Sequence, residues 1–387
     1  MSVTAARGYA AAGVSAGIRP SGKPDLALVH ALEPVVGCAM WTQNRVQAAP
    51  VTVSRRHLAV AEPQAVVVNA GVANAATGKA GEEDAERTAV HVAERLALEP
   101  EQVVVLSTGV IGPRLPMEKV LAGVEEAAVA LSPDGGPAAA GAILTTDAGP
   151  KTAVVRRDGF TVGGMAKGAG MIHPRLATML AVVTTDYPLA SGEAEGFLRP
   201  AVERTFNRIS VDGDCSTNDA VVLLARHGVG ERDVAQDAAF ASALEEVCAS
   251  LARQIVADGE GATVVIEVVV RSASSAEEAQ AIALRVATSP LVKTAAFGRD
   301  PNWGRVLAAA GSAPWNGGFA QLDPDRLSVS FDHTTVFERG VPTGLVPSLG
   351  GAEARIDLDL GLGDGACAYL ASDLSYDYVK LNAEYTT

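Results

Sequence analysis

A threonine hydroxyl can attack the carbonyl of its own preceding residue when a strained backbone holds that carbonyl beside it. Thr178 stands where such geometry could arise. Residues 163–180 read GGMAKGAGMIHPRLATML, and the run Ala181-Val182-Val183-Thr184-Thr185-Asp186 follows. Gly163, Gly164, Gly168 and Gly170 open backbone angles that side chains forbid, while Pro174 removes a donor and fixes one φ. The apolar, β-branched run that begins at Thr178 predicts a buried strand, so a strained loop feeds a strand with Thr178 at the joint. On spacing alone, Ala177-Thr178 also fits an ordinary strand start.

Other residues could carry chemistry. The strand Val103–Leu106 is expected to run into Ser107-Thr108-Gly109-Val110-Ile111-Gly112-Pro113, where hydroxyl and backbone donors are exposed; a plain turn is the alternative. Glu260 lies between Gly259 and Gly261 at the expected C-terminus of a long helix, where the helix dipole disfavours negative charge unless a cation is near. Asp212, Asp214 and Asp219 are dense enough to raise a metal site. They lack the spacing of a twelve-residue calcium loop ending in glutamate, and no metal is expected. Cys38, Cys215, Cys248 and Cys367 form no CxxC pair and read as small buried hydrophobes.

The elements that must position these residues show in the periodicity. Helices are expected near 82–98, 117–131, 193–204, 234–257 and 276–288, with strands at Leu26–Val29 and Val264–Val270. Ser132–Ala140 reads as a Pro/Gly/Ala-rich turn, and Thr145 and Thr146 as strand residues. Ser289–Arg305 reads as strand, turn and helix start, with Asp300-Pro301-Asn302 as the turn. The polar break at His227–Arg232 is the candidate boundary between a region 1–226 and a region 227–387.

The chain has 387 residues and a net charge of −14, which argues against nucleic acid or an anionic membrane as partner. No apolar run approaches eighteen residues and the N-terminal segment lacks signal-peptide character, so a cytoplasmic protein is expected. No P-loop or GxGxxG motif follows a strand, so no nucleotide cofactor is expected.

The segment 163–180 resembles the autocleavage segment of the ornithine acetyltransferase (glutamate N-acetyltransferase) family of arginine biosynthesis. The likeness extends over most of the chain: Trp41–Pro50, Ala65–Gly78, Ser107–Pro113, Ala142–Lys151, Thr205–Ala220, Asp258–Thr263, Ser289–Arg305 and Asp373–Thr387. It departs at Ala76, Ala148, Cys215 and Ala220, where the family usually has other residues.

The resemblance implies an α/β (α+β) fold, a four-layer αββα sandwich with a smaller C-terminal α/β part. It implies cleavage between Ala177 and Thr178 into chains 1–177 and 178–387 that stay together and associate further. Thr178 becomes the nucleophile, with Thr108 and Gly109 as the oxyanion hole. Thr145, Lys167, Thr178, Glu260, Asn382 and Thr387 bind substrate, Glu260 through the ornithine amino group. The reaction implied is ping-pong transfer of acetyl from N-acetylornithine to glutamate, without metal or other cofactor, and acetyl-CoA is a second candidate donor. An N-terminal-nucleophile amidohydrolase or aminopeptidase, or an uncleaved non-catalytic binding protein, are the alternatives.

Overall fold

A computed structural model describes residues 2–173, 179–228 and 232–384. The residues divide into two compact units, one of 1–207 with 214–255 and the other of 208–213 with 256–385. The long helix Val234–Ala257 thus lies in the first unit as far as Ile255, on the other side of the division expected at 226/227. Its face explains this: Phe240 stacks on Tyr187 at 4.4 Å, and Leu251 and Val247 close over Gly164.

The first unit has four layers. One sheet runs in the order Tyr9–Val14, Leu26–Ala31, Ala65–Val72, Val103–Val110, and the other in the order Val35–Trp41, Ala220–His227, Leu180–Leu189, Phe160–Lys167, Lys151–Arg157. Strands of the first sheet are apolar on both faces, and period two sorts them. Ala27, Val29, Val66, Val68, Val104 and Leu106 pack with Met165, Val182, Val222 and Leu224 of the second sheet. Leu26, Leu28, Val67, Val103 and Val105 point the other way, onto helices Gly78–Leu96 and Met117–Ala130 through Ala85, Ala89, Val92, Val120 and Val124. Helices Ala194–Arg204 and Val234–Ala257 cover the outer face of the second sheet. The result is the αββα sandwich that the resemblance implies.

The second unit is a seven-stranded sheet built around Val265–Ala273, with Glu353–Asp359 parallel on one side and Gly365–Ser372 antiparallel on the other. Helices Ala276–Ala287, Pro290–Phe297 and Trp303–Ala310 share one apolar core with it. Each starts at a polar cap: Ser275, Ser289 and Asn302 accept from the backbone N–H three residues on.

Three local expectations are corrected. Gly136–Ala142 is a short helix, because its alanines bury against the inner core and Pro137 suits a first turn. Thr145 and Thr146 lie in a bend rather than a strand. Ser289–Arg305 holds two capped helices and no strand, since Ser289-Pro290 and Asn302 are both helix-start signals. Cys248 and Cys367 are buried, whereas Cys38 and Cys215 are only partly so.

Candidate active site

Thr108 and Gly109 end the strand Val103–Val110, which is longer than its apolar run suggests. Its partner is Ala65–Val72, and the two are in parallel register until Gly71 faces Gly109, where Val72 pairs with both Thr108 and Val110. This is a bulge, a device that re-aims residues next to active sites. Gly109 has φ +130°, and a Cβ there would sit 2.2 Å from the Gly71 carbonyl carbon. Only glycine fits.

Beneath the bulge, Asn218 Nδ2 donates to Ala73 O at 2.7 Å and to Ser107 O at 2.8 Å, and Ser107 Oγ donates to Asn69 Oδ1 at 2.5 Å. The segment 214–220 therefore fixes the end of the strand that carries Thr108. Among the described residues no cluster of His, Cys, Asp or Glu could hold a metal ion.

A hairpin supplies the charge. Strands Lys151–Arg157 and Phe160–Lys167 join through the two-residue turn Asp158-Gly159, which places Lys151 and Lys167 at the same end. Both cations reach Asp147, whose side chain is fully buried: Lys151 Nζ is 2.7 Å from Oδ1 and Lys167 Nζ 3.9 Å from Oδ2. Gly168 N donates to Oδ1 at 2.7 Å and Thr145 N to Oδ2 at 3.0 Å. Burial alone would raise the Asp147 carboxyl, but the Lys167 and Lys151 charges and these hydrogen bonds hold it well below the usual carboxylate range.

Two ammonium groups thus converge on one carboxylate. Lys167, 2% exposed, also donates to Thr108 Oγ1 at 3.2 Å. A hydroxyl that accepts from a cation keeps its proton for another acceptor, so Thr108 is set to donate to an oxygen that becomes negative.

The strand after the expected cleavage point closes the cluster. Lys167 is in register with Leu180, two residues after Thr178. Met179 N donates to Asp219 Oδ1 at 2.8 Å, and Met179 O accepts from Ala220 N at 3.2 Å. Asp219 is 0% exposed. Its burial pushes the carboxyl well above the usual range, against the lowering effect of the Met179 N–H and the Lys167 charge.

The structure thus brings together Thr108, Gly109, Lys167 and, through Asp147, Thr145. In the second unit Asn382 Nδ2 donates to Glu260 Oε2 at 3.0 Å and to Tyr378 O, so those two expected substrate residues also meet. Ala177, Thr178 and Thr387 lie outside the described residues. Sequence reasoning missed Asp147 and considered Asp219 only as a metal ligand. A signal for Asp219 existed in its place directly before the apolar run 220–225.

The ArgJ family model matches residues 10–387. A protein named arginine biosynthesis bifunctional protein ArgJ from Thermobifida fusca is 44% identical over 397 residues, spanning all of both chains. Its namesake from Mycolicibacterium paratuberculosis is 46% identical over 398 residues, covering all of this chain and 96% of that one. Among solved structures, ornithine acetyltransferase complexed with ornithine from Mycobacterium tuberculosis is 46% identical, covering 45% of this chain and 94% of that chain with a TM-score of 0.44. The match along essentially the whole length places the chain in the ArgJ family.

Proposed function

We propose that this protein is an acyltransferase of arginine biosynthesis that moves the acetyl group of N-acetylornithine to glutamate through an acetyl-threonine intermediate. Membership of the ArgJ family supports the reaction class. The observation that carries the mechanism is the buried Lys167, which faces Asp147, donates to Thr108 and is in register with Leu180 at the start of the strand that follows Thr178.

In the first step Thr178 Oγ attacks the Ala177 carbonyl, the peptide C–N bond breaks, and water hydrolyses the ester. The α-amine of Thr178 is freed and Ala177 ends in a carboxylate. An α-amine with an ordinary pKa of about 7.7–8.0 is partly neutral near pH 7 and can take the proton of its own hydroxyl. Thr178 Oγ then attacks the acetyl carbonyl of N-acetylornithine. The Thr108 hydroxyl and the Gly109 N–H face the developing oxyanion, and the Lys167 ammonium that donates to Thr108 strengthens that donor.

Ornithine leaves with a proton, the glutamate amine attacks the acetyl-threonine, and N-acetylglutamate departs. Thr145, Lys167, Asn382 and Thr387 bind substrate in this reading, Lys167 offering its cation to a carboxylate, and Glu260 meets the ornithine amino group. Acetyl-CoA serves as a second donor in this reading, and the cytoplasm is the setting; among the described residues no helix is long and apolar enough to cross a membrane.

The test is product analysis with N-acetylornithine as donor. Adding glutamate is expected to yield N-acetylglutamate in proportion to the ornithine released. Release of acetate at the same rate with or without glutamate would instead identify a hydrolase.

A further inference from the structure

Lys293 is a buried lysine that the reaction above leaves without a task. It lies on the helix Pro290–Phe297 of the second unit and is 4% exposed. Its Nζ donates to the Ser372 carbonyl, and its own carbonyl accepts from Leu374 N at 3.3 Å. Burial holds the ammonium down at about 8, against the Asp373 and Asp212 charges that raise it. A charge taken out of water is unfavourable to keep, so packing alone does not explain a lysine here.

The segment it holds does. Residues 372–375 join the strand Gly365–Ser372 to the last helix, Tyr376–Glu384, and they tie down the loop that carries Glu260. Asp373 Oδ1 accepts from Thr263 N at 2.8 Å and Val264 N at 3.1 Å, and Oδ2 from Thr263 Oγ1 at 2.5 Å. Ser375 Oγ donates to Gly261 O at 2.6 Å and accepts from Tyr378 N at 3.2 Å, so it caps the helix and fastens it to the loop. Gly261 has φ +68°, and a Cβ there would press on the Tyr378 nitrogen. Glu260 and Asn382 meet across this seam at 3.0 Å. The helix of Lys293 braces the same joint a second time, where Phe297 packs edge-on against Tyr376 with ring centroids 5.4 Å apart.

Resting on the reading of Glu260 as the contact for the ornithine amino group, we propose that Lys293 is a positioning residue: by holding Ser372 it fixes the joint that sets Glu260 against Asn382. Its effect is confined to the substrate that Glu260 recognises. N-acetylornithine keeps one free amino group beside its acetylated nitrogen, and glutamate has no second nitrogen to offer the same carboxylate.

The experiment measures kcat/KM for both substrates, and Tm, in full-length wild type, Lys293→Met, Lys293→Gln and Glu260→Gln. In ping-pong transfer each kcat/KM reports its own half of the reaction. Lys293→Met is expected to lower kcat/KM for N-acetylornithine about tenfold, mainly through KM, and to leave the value for glutamate within about twofold. Lys293→Gln keeps a donor for the Ser372 carbonyl and should recover part of the loss. A brace needed only for folding would lower Tm and both kcat/KM values together; that result overturns the proposal, as does an unmoved value for N-acetylornithine.

Stability is expected to change little. Unfolded lysines titrate near about 10.4, above the folded Lys293, so the unfolded chain binds this proton more readily and stability rises with pH between about 8 and that value. Near pH 7 the buried charge opposes folding. Lys293→Met removes it together with the hydrogen bond, and its Tm there is expected close to that of the wild type.

Should neither Lys293 variant fold, the wild type answers alone through the carbon-13 signal of the Lys293 ε-carbon. Coupling between two sites is reciprocal, and the closed joint favours the charged donor, so ornithine binding is expected to raise the titration midpoint. A bound cation acting through space alone would lower it. An unmoved or lowered midpoint in the ornithine complex refutes the proposal. Failure of the underlying reading is separate: Glu260→Gln would then keep the wild-type kcat/KM for N-acetylornithine, whatever Lys293→Met does.

Discussion

Thr108 carries a hydroxyl whose lone pair is occupied by Lys167, and its proton is the group expected to meet the oxyanion. Thr108→Val keeps the side-chain shape and removes that donor. Loss of one oxyanion donor typically costs about 2.7–4 kcal/mol of barrier, so kcat should fall by about 10²–10³ with KM little affected. Steady-state kinetics on the variant measure it; an unchanged kcat would remove Thr108 from the oxyanion hole. At this scale Thr108, Gly109 and Lys167 were readable because they lie in motifs that resemble a family. Asp147 was not. Its partners are four and twenty residues away, and only the hairpin brings both lysines to it. In the sequence an acid beside a glycine-rich stretch looks the same whether solvated or buried.

At the scale of elements, the bulge where Gly71 faces Gly109 interrupts the register at the end of the strand that carries Thr108. Gly109→Ala would press a Cβ into the backbone at 2.2 Å, on a residue with φ +130°. The strands must part there, and a loss of about 1–3 kcal/mol in stability is expected together with a fall in kcat. Thermal unfolding and kinetics check this, and a variant matching wild type in both would show that the bulge tolerates a side chain. The long amphipathic helices and the β-branched strands were legible because each has a clear period. The stretch 136–142 was not, because alanine, glycine and proline read as a turn until a core is known to cover them. Likewise the stretch opening at Ser289-Pro290 was read as a strand and Asn302 as part of a turn, although both start helices.

The whole molecule shows how two chains would stay joined after cleavage. In the five-stranded sheet, Leu180–Leu189 and Ala220–His227 follow Thr178 in sequence, while Val35–Trp41 flanks them on one side and Phe160–Lys167 and Lys151–Arg157 on the other. Pieces before and after the break are thus interleaved in one hydrogen-bonded sheet, with register from Val162↔Thr185 to Lys167↔Leu180 across one junction and Ala220↔Trp41 to Arg226↔Val35 across the other. Their shared core is apolar on both sides, so separation would expose it to water.

N-terminal sequencing of the natively purified protein, after denaturing electrophoresis, tests the central claim most directly. The expected result is two co-purifying chains of 177 residues and, from 387 minus 177, 210 residues, the second beginning Thr-Met-Leu-Ala, with Thr178→Ala remaining a single chain. A single full-length chain in the wild type, indistinguishable from Thr178→Ala, would contradict it.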